Sequence, residues 1–383
     1  MNRRVRSLAF TVLGLALLSA LPPARAQGNI AAKPAAKPAA KPYVWPAVAA
    51  ESPESLVENG RWKRARALLE PRVKANPNDA LSAYLLSKVK QTYGDLDGAQ
   101  PLAEKAVQLE SGNAEYHYQL SAVYGQKAER ANILTQASWA GKFRREAEAA
   151  LRLDAKHIDS RMAMMEFYYR APGFMGGDKK KAQAMPGEIG QINAAEGFLA
   201  QVYLARLEKK TVPAAELYEK AVAADPQNYD ALISLAGSYA SDTQKKYDAA
   251  KKHAREAIRA EPGRVRAYSL LAQVVVLTDD WKELDSILAQ AEKNIPDNLA
   301  PYYHAGRLLA SQGKDIQRAE TYLKKYLLQE PEPSAPVHAL TYFWLGKVFD
   351  KQGRRAEART AFETSARLKP DFKEAKAEAR RLR

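Results

Sequence analysis

One stretch of the chain, from Arg266 to Pro296, constrains the fold more than any other. Its first segment carries apolar residues three or four positions apart, namely Tyr268, Leu271, Ala272 and Val275. Its second segment repeats this spacing with Leu284, Leu288 and Ala291. Residues three and four apart lie on one face of an α-helix, so each segment predicts an amphipathic helix. Asp279 and Asp280 interrupt the pattern and predict a turn between the two helices.

This helix pair recurs along the chain at a nearly constant period. The turns that close successive units fall at Pro77, Ser111, Ala155, Ala194, Pro226, Pro262, Pro296, Pro331 and Pro370. Five of the eight intervals between them lie within two residues of 34. A fixed period of this length is typical of a solenoid, in which each unit buries its apolar face against the next unit.

The period and the positions of small and large apolar residues resemble the tetratricopeptide repeat over residues 52–370. Besides the unit that ends at Pro296, the register is clearest in the last unit, with Tyr342, Leu345, Gly346, Phe349, Ala358 and Phe362. The resemblance implies an all-α fold, a right-handed superhelical solenoid of about eight to nine antiparallel helix pairs. Residues 371–383 predict a C-terminal capping helix that turns Phe372 and Ala375 inward and its charges outward.

Three segments depart from the regular repeat. About ten extra residues lie around 131–141, about five lie in 171–177, and a third insertion covers 331–336. The glycines of 173–177 precede Lys179, but their spacing is not that of a phosphate-binding loop and no strand precedes them. We interpret this segment as a turn between helices, with Asp178 capping the next helix. The alternative is a recognition loop that exposes Phe174 and Met175 as apolar contacts.

The N-terminus predicts export. Residues 1–26 combine a basic start, an apolar run over 8–21 and small residues at a cleavage site after Ala26, which is the pattern of a secretory signal peptide. The alternative is a membrane anchor, but the run is shorter than the about 20 residues that span a bilayer. Residues 27–51 contain Ala-Ala-Lys-Pro three times and predict a disordered linker, either a plain tether or a spacer from a surface. We therefore expect a periplasmic protein in a Gram-negative cell, and otherwise a secreted one.

The composition excludes several classes of site. The chain contains no cysteine, which rules out disulfides and thiol chemistry. Its five histidines are scattered, and none lies four residues from another as a helical metal pair would. We find no catalytic motif, so we expect no enzymatic activity, no metal and no cofactor. The net charge of +15 favours anionic partners without specifying one.

The resemblance also implies a binding surface, because the first helix of each tetratricopeptide pair lines a concave groove. By position, the groove residues would be Tyr84, Lys88, Tyr118, Tyr169, Tyr203, Arg206, Tyr303, Arg307, Phe343 and Lys347. Aromatic and cationic side chains together suit an extended peptide or an acidic segment.

The sequence therefore predicts an exported, non-catalytic scaffold that binds a protein or peptide in its concave groove. The alternative is a structural component of an envelope machine that assembles or exports polysaccharide or outer-membrane protein and contacts anionic polymer or lipid. Export argues against nucleic acid as the polyanion, and so does the lack of interleaved aromatic and basic residues.

Overall fold

The computed structural model describes residues 51–383. The predicted signal peptide, residues 1–26, and the predicted linker up to residue 50 lie outside the described residues. No helix in the described part is long and apolar enough to cross a membrane.

Nineteen α-helices and one short 3-10 turn account for the ordered elements of residues 51–383. The first nine helices are α1 (Pro53–Glu58), α2 (Trp62–Ala75), α3 (Ala80–Thr92), α4 (Leu96–Leu109), α5 (Ala114–Arg130), α6 (Ile133–Leu153), α7 (Ile158–Arg170), α8 (Lys179–Ile192) and α9 (Ala194–Leu207). The remaining helices are α10 (Ala214–Ala224), α11 (Tyr229–Ala240), α12 (Tyr247–Ala260), α13 (Val265–Leu277), α14 (Trp281–Asn294), α15 (Ala300–Gln312), α16 (Ile316–Tyr326), α17 (His338–Lys351), α18 (Arg355–Leu368) and α19 (Lys373–Arg381).

The helices α1 to α18 form nine consecutive pairs, and α19 packs against α18. Apart from α9, each odd-numbered helix up to α15 also contacts the odd-numbered helix of the next pair, whereas the even-numbered helices show no comparable contact with one another. The odd-numbered helices therefore form the inner, more tightly curved layer of the solenoid. The predicted all-α solenoid of helix pairs with a C-terminal helix is confirmed.

The pair α13–α14 has the packing that its apolar spacing predicts. Tyr268, Leu271, Ala272 and Val275 of α13 are at most 1% exposed, and Leu284, Leu288 and Ala291 of α14 are at most 2% exposed. Small residues lie where the helices of a pair cross, because a side chain there would collide with the neighbouring helix. A Cβ atom on Gly346, for example, would lie 2.6 Å from the ring of Phe362.

The two edges of the solenoid are built from different turns. The turns within pairs contain residues in the left-handed conformation, such as Gly94 at φ +77° and Gly353 at φ +75°. The turns between pairs in residues 51–383 contain no left-handed residue, and several end in a side chain that caps the next inner helix, such as Asn113, Asn193 and Asn228. The edge with turns inside pairs and the edge with turns between pairs therefore differ in backbone conformation.

The three predicted irregularities take different forms. The extra residues around 131–141 lengthen helices rather than form a loop, since α5 has 17 residues and α6 has 21. Residues 173–175 form the 3-10 turn, and Asp178 caps α8 as its position predicts. Residues 331–336 belong to the connection between α16 and α17.

The buried apolar side chains divide the solenoid into two arms. In the first arm, α1 to α9, they form one cluster around α1–α5 and a second one around α4–α9. In the second arm, α11 to α19, one large cluster runs from Tyr229 to Leu382. Only small clusters connect the arms across α10, one around Ala221 and one around Tyr218. We call residues 208–228 the junction.

The first helix pair closes back onto the second arm. Arg61, in the turn within the first pair, is 1% exposed and makes a bidentate ion pair with Asp297, which follows α14 and is fully buried. Its Nε and Nη2 atoms lie 2.8 and 2.7 Å from the two carboxylate oxygens of Asp297. The first pair thereby contacts the seventh and eighth pairs, although Arg61 and Asp297 are 236 residues apart. Nothing in the sequence pattern predicts this closure.

Candidate functional site

All ten residues predicted to line the groove lie on odd-numbered helices, and hence on the inner layer. Tyr84 and Lys88 belong to α3, Tyr118 to α5, Tyr169 to α7, Tyr203 and Arg206 to α9, Tyr303 and Arg307 to α15, and Phe343 and Lys347 to α17. Their exposure differs widely. Tyr84, Lys88 and Tyr303 are only 4 to 5% exposed, Arg206 is exposed, and the other six are half-buried. A partner could therefore reach some of these side chains and not others.

The inner face of the first arm contains a connected set of polar side chains. The Lys88 ammonium donates to the Tyr84 hydroxyl at 3.0 Å, and that hydroxyl donates to Glu115 at 3.4 Å. The other oxygen of Glu115 lies 3.2 Å from Nε2 of His157. Three successive inner helices, α3, α5 and α7, are thus linked by polar contacts and not by apolar packing alone.

His157 is fixed by its own helix as well as by Glu115. Its Nδ1 accepts a hydrogen bond from the backbone N–H of Ser160 at 3.1 Å and so caps α7, which leaves Nε2 to carry the proton toward Glu115. Burial opposes the charge on His157, but the hydrogen bond and charge of Glu115 outweigh it and raise the histidine pKa. The same contact, working against burial, lowers the pKa of Glu115. The two side chains form an ion pair.

Asp159 lies beside this pair and is the most perturbed acid of the inner face. Its burial, together with the negative charge of Glu115, raises the aspartate pKa to about 7, and His157 and Lys88 offset this only in part. Glu196, the next carboxylate along the inner face, is 5% exposed and accepts a hydrogen bond from Asn228 at 2.9 Å. Carboxylates therefore follow one another from α5 to α9.

The far end of the first arm continues this acidic character. The Tyr203 hydroxyl of α9 donates to Glu166 of α7 at 2.5 Å, and Arg170 pairs with Glu166 from the next turn. Burial raises the pKa of Glu129 at the end of α5, and Glu166 raises it further. Tyr118 lies between these groups, and burial beside Asp159 and Glu115 keeps its hydroxyl protonated by raising its pKa well above the usual value.

The predicted groove cations are already engaged within the chain. Lys88 contacts Tyr84, Arg206 donates to the Tyr218 hydroxyl at 2.6 Å, and Lys347 pairs with Glu378 of the capping helix. Arg307 has the weakest partner, Gln273, at 3.4 Å. An acidic segment would have to displace most of these contacts, so the expectation of an acidic partner loses its main support.

The inner face of the second arm is more aromatic and carries fewer charges. Phe343 packs against Trp344, Phe362 and Phe372, with ring centroids 5.0 to 5.6 Å apart. His304 lies here next to Tyr303, and burial beside the positive charge of Arg307 lowers the histidine pKa to about 4. This histidine is neutral at physiological pH.

The predicted recognition loop exposes one of its two apolar residues. Phe174 is 86% exposed, whereas Met175 is half-buried. Gly176 follows in the left-handed conformation, at φ +97°, close to the Arg144 side chain of α6. The loop is thus tied to the lengthened α6 and presents a single aromatic ring.

Three central residues of the inner face, Glu115, His157 and Asp159, were missed by the sequence-based selection. The signal was present for His157, because it occupies the capping position that Asn113 and Asn193 hold in neighbouring units. The contact of His157 with Glu115 could not be predicted, since it depends on how two successive pairs stack. Within residues 51–383, no group of three or more histidine and acidic side chains is placed to hold a metal ion.

The comparison with protein families identifies a known repeat in two of these helix pairs. The tetratricopeptide repeat model matches residues 303–371, which cover α16, α17, α18 and most of α15. These two helix pairs, the eighth and the ninth, are similar to tetratricopeptide repeats. Stacked helical repeats of this kind form extended concave surfaces that can bind other molecules.

Solved structures with related helical arrangements include a tetratricopeptide repeat protein from Parabacteroides merdae, yeast Tom70 and MamA. The first is 15% identical, with a TM-score of 0.39, over 79% of this chain and 98% of that one. Tom70 is 12% identical, with a TM-score of 0.44, over 85% and 79% of the two chains. MamA is 18% identical, with a TM-score of 0.28, over 56% and 97%.

Proposed function

We propose that this protein is an exported, non-catalytic scaffold that binds an extended segment of a protein partner on the inner face of its first arm. The signal-peptide pattern of residues 1–26 supports export, and in a Gram-negative cell the compartment would be the periplasm. The tetratricopeptide repeats support a protein partner. The arrangement of polar groups on α3 to α9 supports the choice of the first arm.

The observation that carries the proposal is the row of carboxylates along this inner face. Glu115, Asp159, Glu166 and Glu196 follow one another on α5, α7 and α9, where His157 pairs with Glu115 and Arg170 pairs with Glu166. The raised pKa of Asp159 means that its charge is poorly compensated within the chain. A partner segment with lysine or arginine side chains would compensate that charge, and the half-buried rings of Tyr118 and Tyr203 would cover its aliphatic stems.

The second candidate, an envelope component that contacts anionic polymer or lipid, would use the outer surface. It is favoured by the excess of basic residues, which gives the whole chain a net charge of +15. The two functions thus place the partner on opposite faces of the same solenoid.

Photo-crosslinking at matched positions distinguishes them. A photoreactive phenylalanine analogue replaces Tyr203 on the inner face of α9 or, as the control, Leu368 on α18, which is 47% exposed. We expect irradiation of intact cells to give a protein adduct at Tyr203 and none at Leu368, and digestion of the adduct to identify a lysine- or arginine-containing segment. Adducts at Leu368 alone, or retention of the protein on acidic glycan with no adduct at Tyr203, would contradict the proposal.

A further inference from the structure

The contact that closes the solenoid joins two different edges. Arg61 and Lys63 come from the turn and first helical residues that follow α1. Their partners lie in the turns between pairs that follow α14 and α16, including Asp297, Glu330 and Glu332. The Lys63 ammonium donates to the backbone carbonyls of Asp297 and Glu330, and it lies 3.9 Å from the Glu332 carboxylate. We call this set of contacts the clasp.

The clasp is polar, and no apolar cluster crosses it. Leu56, Val57, Ala65 and Leu69 of α1 and α2 pack with α3 to α5, in a cluster that shares no member with the cluster of the second arm. Separation of the first pair from the seventh and eighth would therefore expose ionic groups without opening either core. Buried ion pairs are offset by the water they lose, so the net free energy that holds such a contact is much smaller than its Coulomb attraction.

Some charges at the contact oppose the closed state. Glu58 of α1 faces Glu261, which follows α12, and burial together with this like charge raises the pKa of Glu58. Burial also raises the pKa of Glu332 to about 7, although Lys63 opposes the shift. Opening the clasp would return these carboxylates to water.

The junction provides the place where the arms could bend. Residues 208–213 connect α9 to α10 with Lys209 in the left-handed conformation at φ 55°, and α10 begins without a side-chain cap. Because only small apolar clusters surround α10, a change of angle there would leave the large clusters of both arms intact.

We propose that the first helix pair is a releasable clasp, which holds the solenoid closed around its inner face through Arg61 and Lys63 and opens to admit a partner segment. The gating role rests on the proposed function. The opening itself does not, since it can be measured in the protein alone.

Distances between spin labels test the opening. The chain has no native cysteine, so cysteines replacing Leu68 on α2 and Leu328 after α16, which are 39% and 65% exposed, would carry the only labels. We expect one narrow distance distribution in the otherwise unchanged chain, and longer, broader distances when Arg61→Ala and Lys63→Ala are added. The matched control is Arg72→Ala with Lys74→Ala, which removes the same charge from exposed positions on the same helix.

Asp297→Asn releases the clasp from its other side and leaves α2 unchanged. This variant should lengthen the distances between the labels in the same way. Because it does not change α2, local unfolding of α2 would not explain that result. Unchanged distances in both released variants, with helical content intact, would overturn the proposal.

A disulfide staple tests the gate separately. A Cβ on Gly263 would lie 2.6 Å from Cγ of Asn59, so cysteines at these two positions would place their Cβ atoms within about 4 Å, the range of a disulfide. The staple is combined with the photoreactive residue at position 203, and purified protein is exposed to envelope extract. We expect the oxidised form to lose most of its adduct and reductant to restore it.

Equal adduct yield in the oxidised and reduced forms would contradict the proposal that the clasp controls access to the inner face. Absence of adducts in every form, including the unstapled chain, would instead contradict the proposed function, while the distance measurement would still decide whether the clasp opens.

Discussion

The two arms are built from the same helix pair but differ in what their inner faces contain. In the second arm, small residues such as Gly346 allow close helix crossings, and one apolar cluster continues from α11 to α19. In the first arm the inner helices carry a chain of buried and half-buried polar groups, from Lys88 through Glu115 and His157 to Glu166. A solenoid needs only the apolar contacts to stack. The polar chain therefore points to a function beyond architecture.

The difference also follows two of the three irregularities of the sequence, although the third, residues 331–336, lies in the second arm. The lengthened α5–α6 pair and the loop at 173–177 both belong to the first arm, whereas the family match at 303–371 lies in the second. A regular repeat is constrained on every face by its neighbours. An arm that departs from the repeat has room for side chains that serve a partner.

The largest expected effect tests whether the second arm is one cooperative core. Phe362 is fully buried and packs over Gly346, so Phe362→Ala should destabilise the protein by about 3–5 kcal/mol through lost burial and a cavity. Denaturant unfolding measures this change in the free energy of unfolding. Hydrogen exchange should show the loss of protection concentrated in α11 to α19, and an equal loss in α3 to α8 would refute the division into arms.

A smaller effect is expected where α8 crosses α9 at the end of the first arm. A Cβ on Gly197 would lie 2.5 Å from the Cα of Gly190, so Gly197→Ala should force the helices apart and cost about 1–3 kcal/mol. Gly187, on the solvent side of α8, is the control because nothing lies within 4 Å of its Cβ position. Gly187→Ala should stabilise the protein by up to about 1 kcal/mol, through helix propensity alone. Thermal melts compare the Gly197→Ala and Gly187→Ala variants. Similar shifts in their Tm would show that the crossing of α8 and α9 is not tight.

The smallest effect concerns Asp159 and depends on pH. The pKa of Asp159 is raised to about 7 in the folded state, whereas its ordinary value is 3.8. Asp159 therefore binds a proton more tightly in the folded protein than in the unfolded chain. The stability it contributes is complete below about pH 4 and is lost as the pH rises through 7. Asp159→Asn should therefore stabilise the protein at pH 8 by on the order of 1 kcal/mol, and the gain should vanish toward pH 4. A gain that does not change with pH would mean that Asp159 is not the titrating group.

The sequence predicted the second arm better than the first. Apolar periodicity placed the buried faces of α13 and α14 residue by residue, because a single period fixes which side chains point inward. The resemblance to the tetratricopeptide repeat implied that Tyr84 and Lys88 lie on an inner helix but not that both would be buried. Their burial, the ion pair of His157 with Glu115 and the clasp at Arg61 depend on how pairs stack and curve. That geometry arises from contacts as far as 236 residues apart, which local spacing does not encode.

The most direct test of the account compares photo-crosslinking at one inner position of each arm, Tyr203 on α9 and Phe343 on α17, in intact cells. Both side chains are half-buried aromatic residues of the inner layer, so at each position the photoreactive phenylalanine analogue replaces another aromatic ring. The account predicts a protein adduct at Tyr203 and little or none at Phe343. An adduct at Phe343 without one at Tyr203 would show that the regular arm binds the partner, and would contradict the account.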